Sequence, residues 1–284
     1  MYQYSAIQWL FFFYFYCFCG WCFESAYVSI RRRKLTNRGF MRGPFLPIYG
    51  SGAIMMLVVS MPFQDNVVLT YLAGCVGATA LEYVTGVAME ALFKVRYWDY
   101  SNQKFNFQGH ICLSSTLVWG AFTVVLTRFI HVPVERMVLA IPSKVLTVVT
   151  LILTAVIFSD FALSFKAAID LRNVLDKMER AKEELSHIQK RLNTLIEQKE
   201  EEMASRKEAF TENLREELAE LKAKSNFLQE RRNHATGLLD VFQKNMIRSN
   251  PGMTSVKYKE SLEELKEKLE KLKNKNNKNN KNNE

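Results

Sequence analysis

No G-x-x-x-x-G-K-[ST] segment occurs anywhere in the chain, so it lacks a phosphate-cradling loop, and any ATP hydrolysis would fall to a separate subunit. No H-E-x-x-H pair occurs either, which leaves His110 and the nearby glutamates a poorly specified metal site, and no metal or cofactor is expected. Acidic residues are few up to Asp160, whereas Lys and Glu dominate afterwards. Such a division within one chain argues for two solvents. The formal charge of +9 would suit nucleic acid, but the basic residues cluster beside apolar runs, which favours an anionic membrane surface and speaks against a nucleic-acid partner. The five cysteines, Cys17, Cys19, Cys22, Cys75 and Cys112, all lie within or at the ends of apolar segments, so a disulfide framework is not expected. On a helix the steps between Cys17, Cys19 and Cys22 point the thiols in divergent directions, as suits packing. A cleaved leader is not expected, because the first apolar run has no basic start and no small-residue cleavage site.

What is abundant is long apolar sequence. A bilayer core about 30 Å thick takes about 20 apolar residues of helix. About five runs approach that length: Ile7–Ile30, Phe45–Met61, Val67–Phe93, Ile111–Ile130 and Met137–Phe165. Polar breaks are expected at Pro62–Asn66 and at His131–Glu135. Arg31, Arg32, Arg33, Lys34, Arg38 and Arg42 follow the first run, and that excess of positive charge predicts a cytoplasmic loop. Alternation then places the N-terminus outside the cell membrane, the Lys94–His110 loop inside, and everything after Phe165 inside. The predicted fold is all-α: a polytopic transmembrane bundle over residues 1–165, followed by a long cytoplasmic coiled-coil helix over 166–250.

The coiled coil is read from Leu171, Met178, Leu185 and Leu192, seven residues apart, with Val174, Ala181, Ile188 and Leu195 three after each. Lys199 and Glu202 interrupt the seam, and it resumes in a shifted frame through Leu214, Leu218, Leu221 and Leu228. Its partner could be another copy, giving a homo-oligomer, or the same chain folded back. Asn250, Pro251 and Gly252 end the helix. A short amphipathic helix is expected within residues 251–272, and the Asn/Lys run over 273–284 has nothing apolar to bury and is expected to lack structure.

Ionisable groups in a bilayer cost about 2.5 to 3.5 kcal/mol at its centre, so each needs a reason. Glu24 lies late in the first span, and Glu82 and Glu90 lie in the third, two turns or about 12 Å apart. Gly74, Ala78, Glu82, Gly86 and Glu90 form a stripe of small or acidic residues at every fourth position, the pattern of a face that packs against protein. The carboxylates either pair with Arg38, Arg42, Arg96 or backbone donors to hold helices together, or form a substrate or ion site. The Asn37–Gly52 segment is dense in glycine and proline and carries Tyr49, and its backbone can bend or expose amides. Trp98, Asp99, Asn106 and His110 bring further polar groups to the same side from a loop whose aromatics also suit an interfacial anchor.

In order along the chain stand Gly20-Trp21-x-x-Glu24, Asn37-Arg38-Gly39-Phe40 with Gly43-Pro44, and Pro47-x-Tyr49-Gly50-x-Gly52. They are followed by Glu82-Tyr83 with Gly86 and Glu90, and Trp98-Asp99-Tyr100-Ser101 with Asn106 and Gly109. Over roughly residues 5 to 165 these motifs resemble the bacterial ABC-transporter type IV permeases, also labelled CmpB-like, with Tyr97 where that family favours Trp. The resemblance implies a permease, and the intramembrane glutamates and the glycine-rich segment likewise suit a transport-related membrane subunit, in contact with membrane lipid and with a separate ATPase subunit for any ATP hydrolysis. No nucleophile and base stand at a recognised spacing, so an enzyme is not the leading expectation. Two other functions suit the same residues: a membrane-anchored scaffold or sensor acting through the coiled coil, and an intramembrane enzyme on lipid or headgroup using Glu24, Glu90, Asp99 and His110.

Overall fold

The computed structural model describes residues 4–204, 211–233, 237 and 239–281. Its helices are α1 (Ala6–Arg32), α2 (Pro47–Ser60), α3 (Val67–Phe93), α4 (Leu113–Val125), α5 (His131–Leu139), α6 (Ser143–Ala204), α7 (Thr211–Asn233), α8 (Val241–Ser249) and α9 (Lys259–Lys281). One small antiparallel hairpin, β1 (Asn106–Phe107) with β2 (Ile111–Cys112), lies between α3 and α4. The chain divides into two units: Met1–Ile169 with Asn245–Val256, and Asp170–Lys244 with Lys257–Glu284.

In the first unit, local chemistry sets the helix limits. Ser5 and Gln8 form a capping box at the start of α1, and Arg33 ends the helix in a left-handed turn. The Asn66 side chain accepts from the backbone of Val68 and Leu69 to start α3, and Lys94 closes it, also left-handed. Among the described residues four helical runs are long and apolar enough to cross a membrane: Ala6–Arg32, Val67–Phe93, Leu113–Leu139 and the apolar part of α6.

The bounds of the apolar runs differ from the sequence expectation in two places. The second apolar run becomes helical only at Pro47, where a fixed φ and a missing N–H cost nothing. Its 14 residues rise about 21 Å, and the 3-10 turn that follows carries the apolar segment on to Phe63, adding about 6 Å. The break expected at His131 is also absent: α4 continues through a π-helical turn at Leu126–Ile130 directly into α5. Proline has no N–H to return to the preceding turn, and the wider π turn just before Pro133 absorbs that mismatch. The chain instead turns at Ala140–Pro142. His131 is fully buried, with Tyr16 Oη 2.8 Å from Nδ1 and Tyr4 Oη 3.0 Å from Nε2.

Helices α1 to α4 pack in sequence order. Gly50 lets α1 and α2 meet: a Cβ there would stand 2.4 Å from Cys17 Sγ and 2.6 Å from the Phe13 carbonyl oxygen. Phe12, Tyr16, Met56, Leu57, Ala78, Leu126 and Val138 form the main buried cluster. Gly74, Ala78, Glu82 and Gly86 are buried on one face of α3.

The second unit begins where α6 passes from apolar to charged sequence without a break. Leu185 and Ile188 pack with Leu228, and Leu195 with Leu218, so α7 runs back antiparallel along α6. From Leu185 to Leu195 the apolar face of α6 packs against α7 of the same chain. The side chains of Lys199, Glu202 and Leu214, at the expected change of frame, lie outside the described ones. Helix α9 lies parallel to α6, with the Tyr258 hydroxyl donating to Asp176 at 2.9 Å and Ser261 to Glu179 at 2.8 Å. Leu262, Leu265 and Leu269 are buried. Against expectation, α9 continues through the Asn/Lys run to Lys281, because propagating a helix already nucleated by packed leucines costs little per residue. Residues 282–284 lie outside the described ones.

Candidate functional site

One end of the first unit gathers most of the costly polar groups. Helix α1 supplies Glu24, the following loop Arg38, the start of α2 Tyr49, α3 Glu82, α4 Trp119, and the hairpin loop Tyr97, Trp98 and Tyr100. Together with Asn250 they line a cavity of about 380 Å³. A second cavity of about 620 Å³ is almost wholly apolar, lined by α1 residues such as Tyr16 and Phe23 and by α4 residues such as Val118 and Phe122. Tyr49, Tyr100 and Trp119 line both cavities.

Glu82 lines the smaller cavity only, bonded to two of those three shared residues, and is 5% exposed. Its Oε1 accepts from the Tyr100 hydroxyl at 3.0 Å, and its Oε2 from Ser115 Oγ at 3.2 Å and Trp119 Nε1 at 3.1 Å. Burial, and then the Glu82 charge, push the Tyr100 phenol above its ordinary range, so it stays protonated and donates. All three donors are neutral. The other two glutamates have counter-charges: Glu24 lies 3.5 Å from Arg38, and Glu90 lies 2.8 Å from Arg96.

Arg38 is held from several directions. Its Nη1 donates to Asn250 Oδ1 at 2.9 Å, and its Nη2 to the Tyr97 carbonyl at 3.4 Å. Asn250, 1% exposed, also donates through Nδ2 to the carbonyls of Gly39 and Met246, both at 2.9 Å. The segment around it is fastened to the hairpin loop: Arg96 and Thr254 exchange backbone hydrogen bonds, and Thr254 Oγ1 donates to Asp99 Oδ2 at 2.9 Å.

Glu90, Arg96, Asp99 and His110 form a neighbouring ionic cluster. Arg96 reaches Asp99 at 3.6 Å, and His110 Nε2 lies 3.1 Å from Glu90 Oε2. Burial alone would raise the Asp99 carboxyl, but hydrogen bonds from Ser101 and Thr254 and the Arg96 charge hold it below its ordinary range. Burial, followed by the Arg96 charge, pushes the His110 imidazole down, against opposing pulls from Glu90 and Asp99. His110 is therefore neutral near neutral pH and donates to Glu90 through Nε2.

The unfolded chain takes up that proton first, so stability from neutral His110 is complete above about pH 6.5 and is lost as pH falls toward the lower folded value. Thermal unfolding of the purified chain from about pH 7.5 to 5.5 is expected to show this loss, and His110→Gln, which keeps a donor for Glu90, to reduce it.

Of the residues singled out in the sequence, Glu24, Arg38, Tyr49, Glu82 and Trp98 line the smaller cavity. Two lie elsewhere. Arg42 Nη2 donates to the Leu163 carbonyl at 3.3 Å, tying its loop to α6, and Asn106 folds the hairpin loop by donating to the carbonyls of Ser101 and Gln103. Ser115, Trp119 and Asn250 were not anticipated. A serine and a tryptophan in an apolar run carry no local signal, and Asn250 reads as a helix terminator. Tyr100 stood inside a motif but was not singled out.

No curated protein and no solved structure matches the chain. Residues 11–165, more than half of the sequence, match the family model described as Putative ABC-transporter type IV. The match takes in α1 to α5 and every lining residue of both cavities except Asn250. Four apolar helices of spanning length and this match make the chain a transport-related membrane protein that belongs to the ABC-transporter type IV family.

Proposed function

We propose that the chain is a permease-like subunit of the cell membrane, and that the chamber around Glu24, Arg38, Tyr49 and Glu82 forms part of the substrate route. The observation that carries this reading is Glu82: a carboxyl group buried in a spanning helix, held by three neutral donors, lining one cavity and bonded to Tyr100 and Trp119, which line both. An ionisable group at membrane depth, costing about 2.5 to 3.5 kcal/mol at the bilayer centre, supports a functional position. The basic loop from Arg31 to Arg42 supports placing this end of the bundle in the cytoplasm, and with the shorter Pro47–Phe63 segment counted as a crossing between α1 and α3, five crossings leave the N-terminus outside and the tail inside. With no nucleotide loop in the sequence, energy from ATP would come from a separate ATPase subunit.

The test is complementation of a deletion strain, profiled for uptake or resistance across a compound panel, by the wild-type chain and by Glu82→Gln. A drop in flux of about tenfold or more, at equal membrane abundance, is the expected result. Full flux in the variant removes the route.

The long α6 favours a second reading, a membrane-anchored scaffold acting through a coiled coil or through further copies. In that case replacing residues 171–248 by a short linker abolishes function, and Glu82→Gln retains it.

A further inference from the structure

The two cavities together have the form of an amphipathic ligand. The larger is lined by α1 on one side and α4 on the other, and its rim residues Phe23 and Val118 are 67% and 65% exposed. In a membrane-spanning unit, exposed apolar side chains at that depth face acyl chains, so the groove opens toward hydrocarbon. Its inner end is the aromatic junction of Tyr49, Tyr100 and Trp119, beside Glu82.

That end offers Glu82 no counter-ion. Glu24 and Glu90 each have an arginine within 4.0 Å, whereas among the described residues no basic side chain forms a salt bridge with Glu82. Three neutral donors solvate a carboxylate without supplying a counter-charge, so an incoming cation is the group that would stabilise an ionised Glu82. A carboxylate flanked by electron-rich rings is the chemistry that recognises an ammonium group.

We propose that this cleft binds an amphipathic cation, with its ammonium group at Glu82 among Tyr49, Tyr100 and Trp119 and its hydrocarbon chain along the groove between α1 and α4. The proposal names the substrate class for the route above and rests on that reading. Charge complementarity with Glu82 selects the head, and the apolar groove accepts the tail. Arg38, already bonded to Asn250 and the Tyr97 carbonyl, disfavours a second positive group deeper in the chamber and limits the ligand to one cationic end.

The full-length protein in zwitterionic nanodiscs, with empty nanodiscs subtracted, would be titrated with decyltrimethylammonium, with its uncharged tert-butyl isostere and with decyl sulfate. The wild type is expected to bind the cation saturably and about tenfold or more tighter than the isostere, and to ignore the sulfate. Glu82→Gln is expected to erase the preference between cation and isostere, and Trp119→Leu to weaken cation binding.

Equal binding of cation and isostere by the wild type overturns the proposal without recourse to any variant, and so does a preference that survives in folded Glu82→Gln. If the wild type ignores charge while Glu82→Gln still abolishes complementation, the cationic ligand falls and the transport route stands. Full complementation by Glu82→Gln overturns both.

Discussion

Asn250→Leu is expected to destabilise the first unit by about 4 kcal/mol and to expose residues 245–256 to hydrogen exchange. The substitution keeps the side-chain shape and removes every polar contact it makes. Arg38 Nη1 loses its 2.9 Å acceptor, and the Gly39 carbonyl loses its 2.9 Å donor. Hydrogen bonds to charged groups are worth about 1.5 to 3 kcal/mol, and a buried polar group left unsatisfied costs about 1 to 3 kcal/mol. Asn250→Asp separates the two contributions, because it preserves an acceptor for Arg38 and abolishes the donor to Gly39. An intermediate loss is expected from it. Thermal unfolding in detergent with exchange mass spectrometry reads both variants, and wild-type protection of 245–256 in the leucine variant would show that these bonds do not hold the segment.

The second large effect is expected at Gly50. A methyl group there meets the backbone of α1 as well as a side chain, since the Phe13 carbonyl oxygen would be 2.6 Å away. A side chain can rotate aside, but a helix backbone moves only as a body. Gly50→Val therefore has to separate α1 from α2, at a cost of about 3 kcal/mol. Tyr49, the adjacent residue, moves with it, so binding in the chamber is lost along with stability. Gly252 is the matched control: nothing lies within 4 Å of a Cβ there, and Gly252→Ala is expected to leave the melting temperature unchanged. A Gly50→Val protein that melts with the wild type would show that the contact is not close in solution.

How much the sequence disclosed depended on whether the decisive signal was local. Helices α1 and α3 were legible because each is an apolar run of about bilayer length followed by a charged residue, and the structure places their ends within a few residues of those runs. The turn expected at His131 was not, because Pro133 and His131 read as breakers, while the π turn and the two tyrosines that accommodate them are tertiary. Glu24, Arg38 and Glu82 stood out by type, since charge beside or within an apolar run is conspicuous. Their grouping was not readable, because it depends on close helix contacts such as that of Gly50. Asn250 was the least legible. Its partners lie more than two hundred positions away, and nothing around Asn-Pro-Gly distinguishes a residue that stops a helix from one that also completes a cavity wall.

The separation of Arg38 from Asn250, 212 positions, also sets an order in time. At about 5 to 20 residues per second, roughly 10 to 40 s pass between the synthesis of one and of the other. During that interval the spanning helices can insert and pack, with Arg38 served by Glu24 alone among these two partners. The wall of the chamber contributed by Asn250 is therefore laid last, after the whole outward and return path of α6 and α7 has been made. Closing so long a loop adds only a logarithmic entropy cost, but it makes a chamber with an open wall an obligatory stage in the life of every copy.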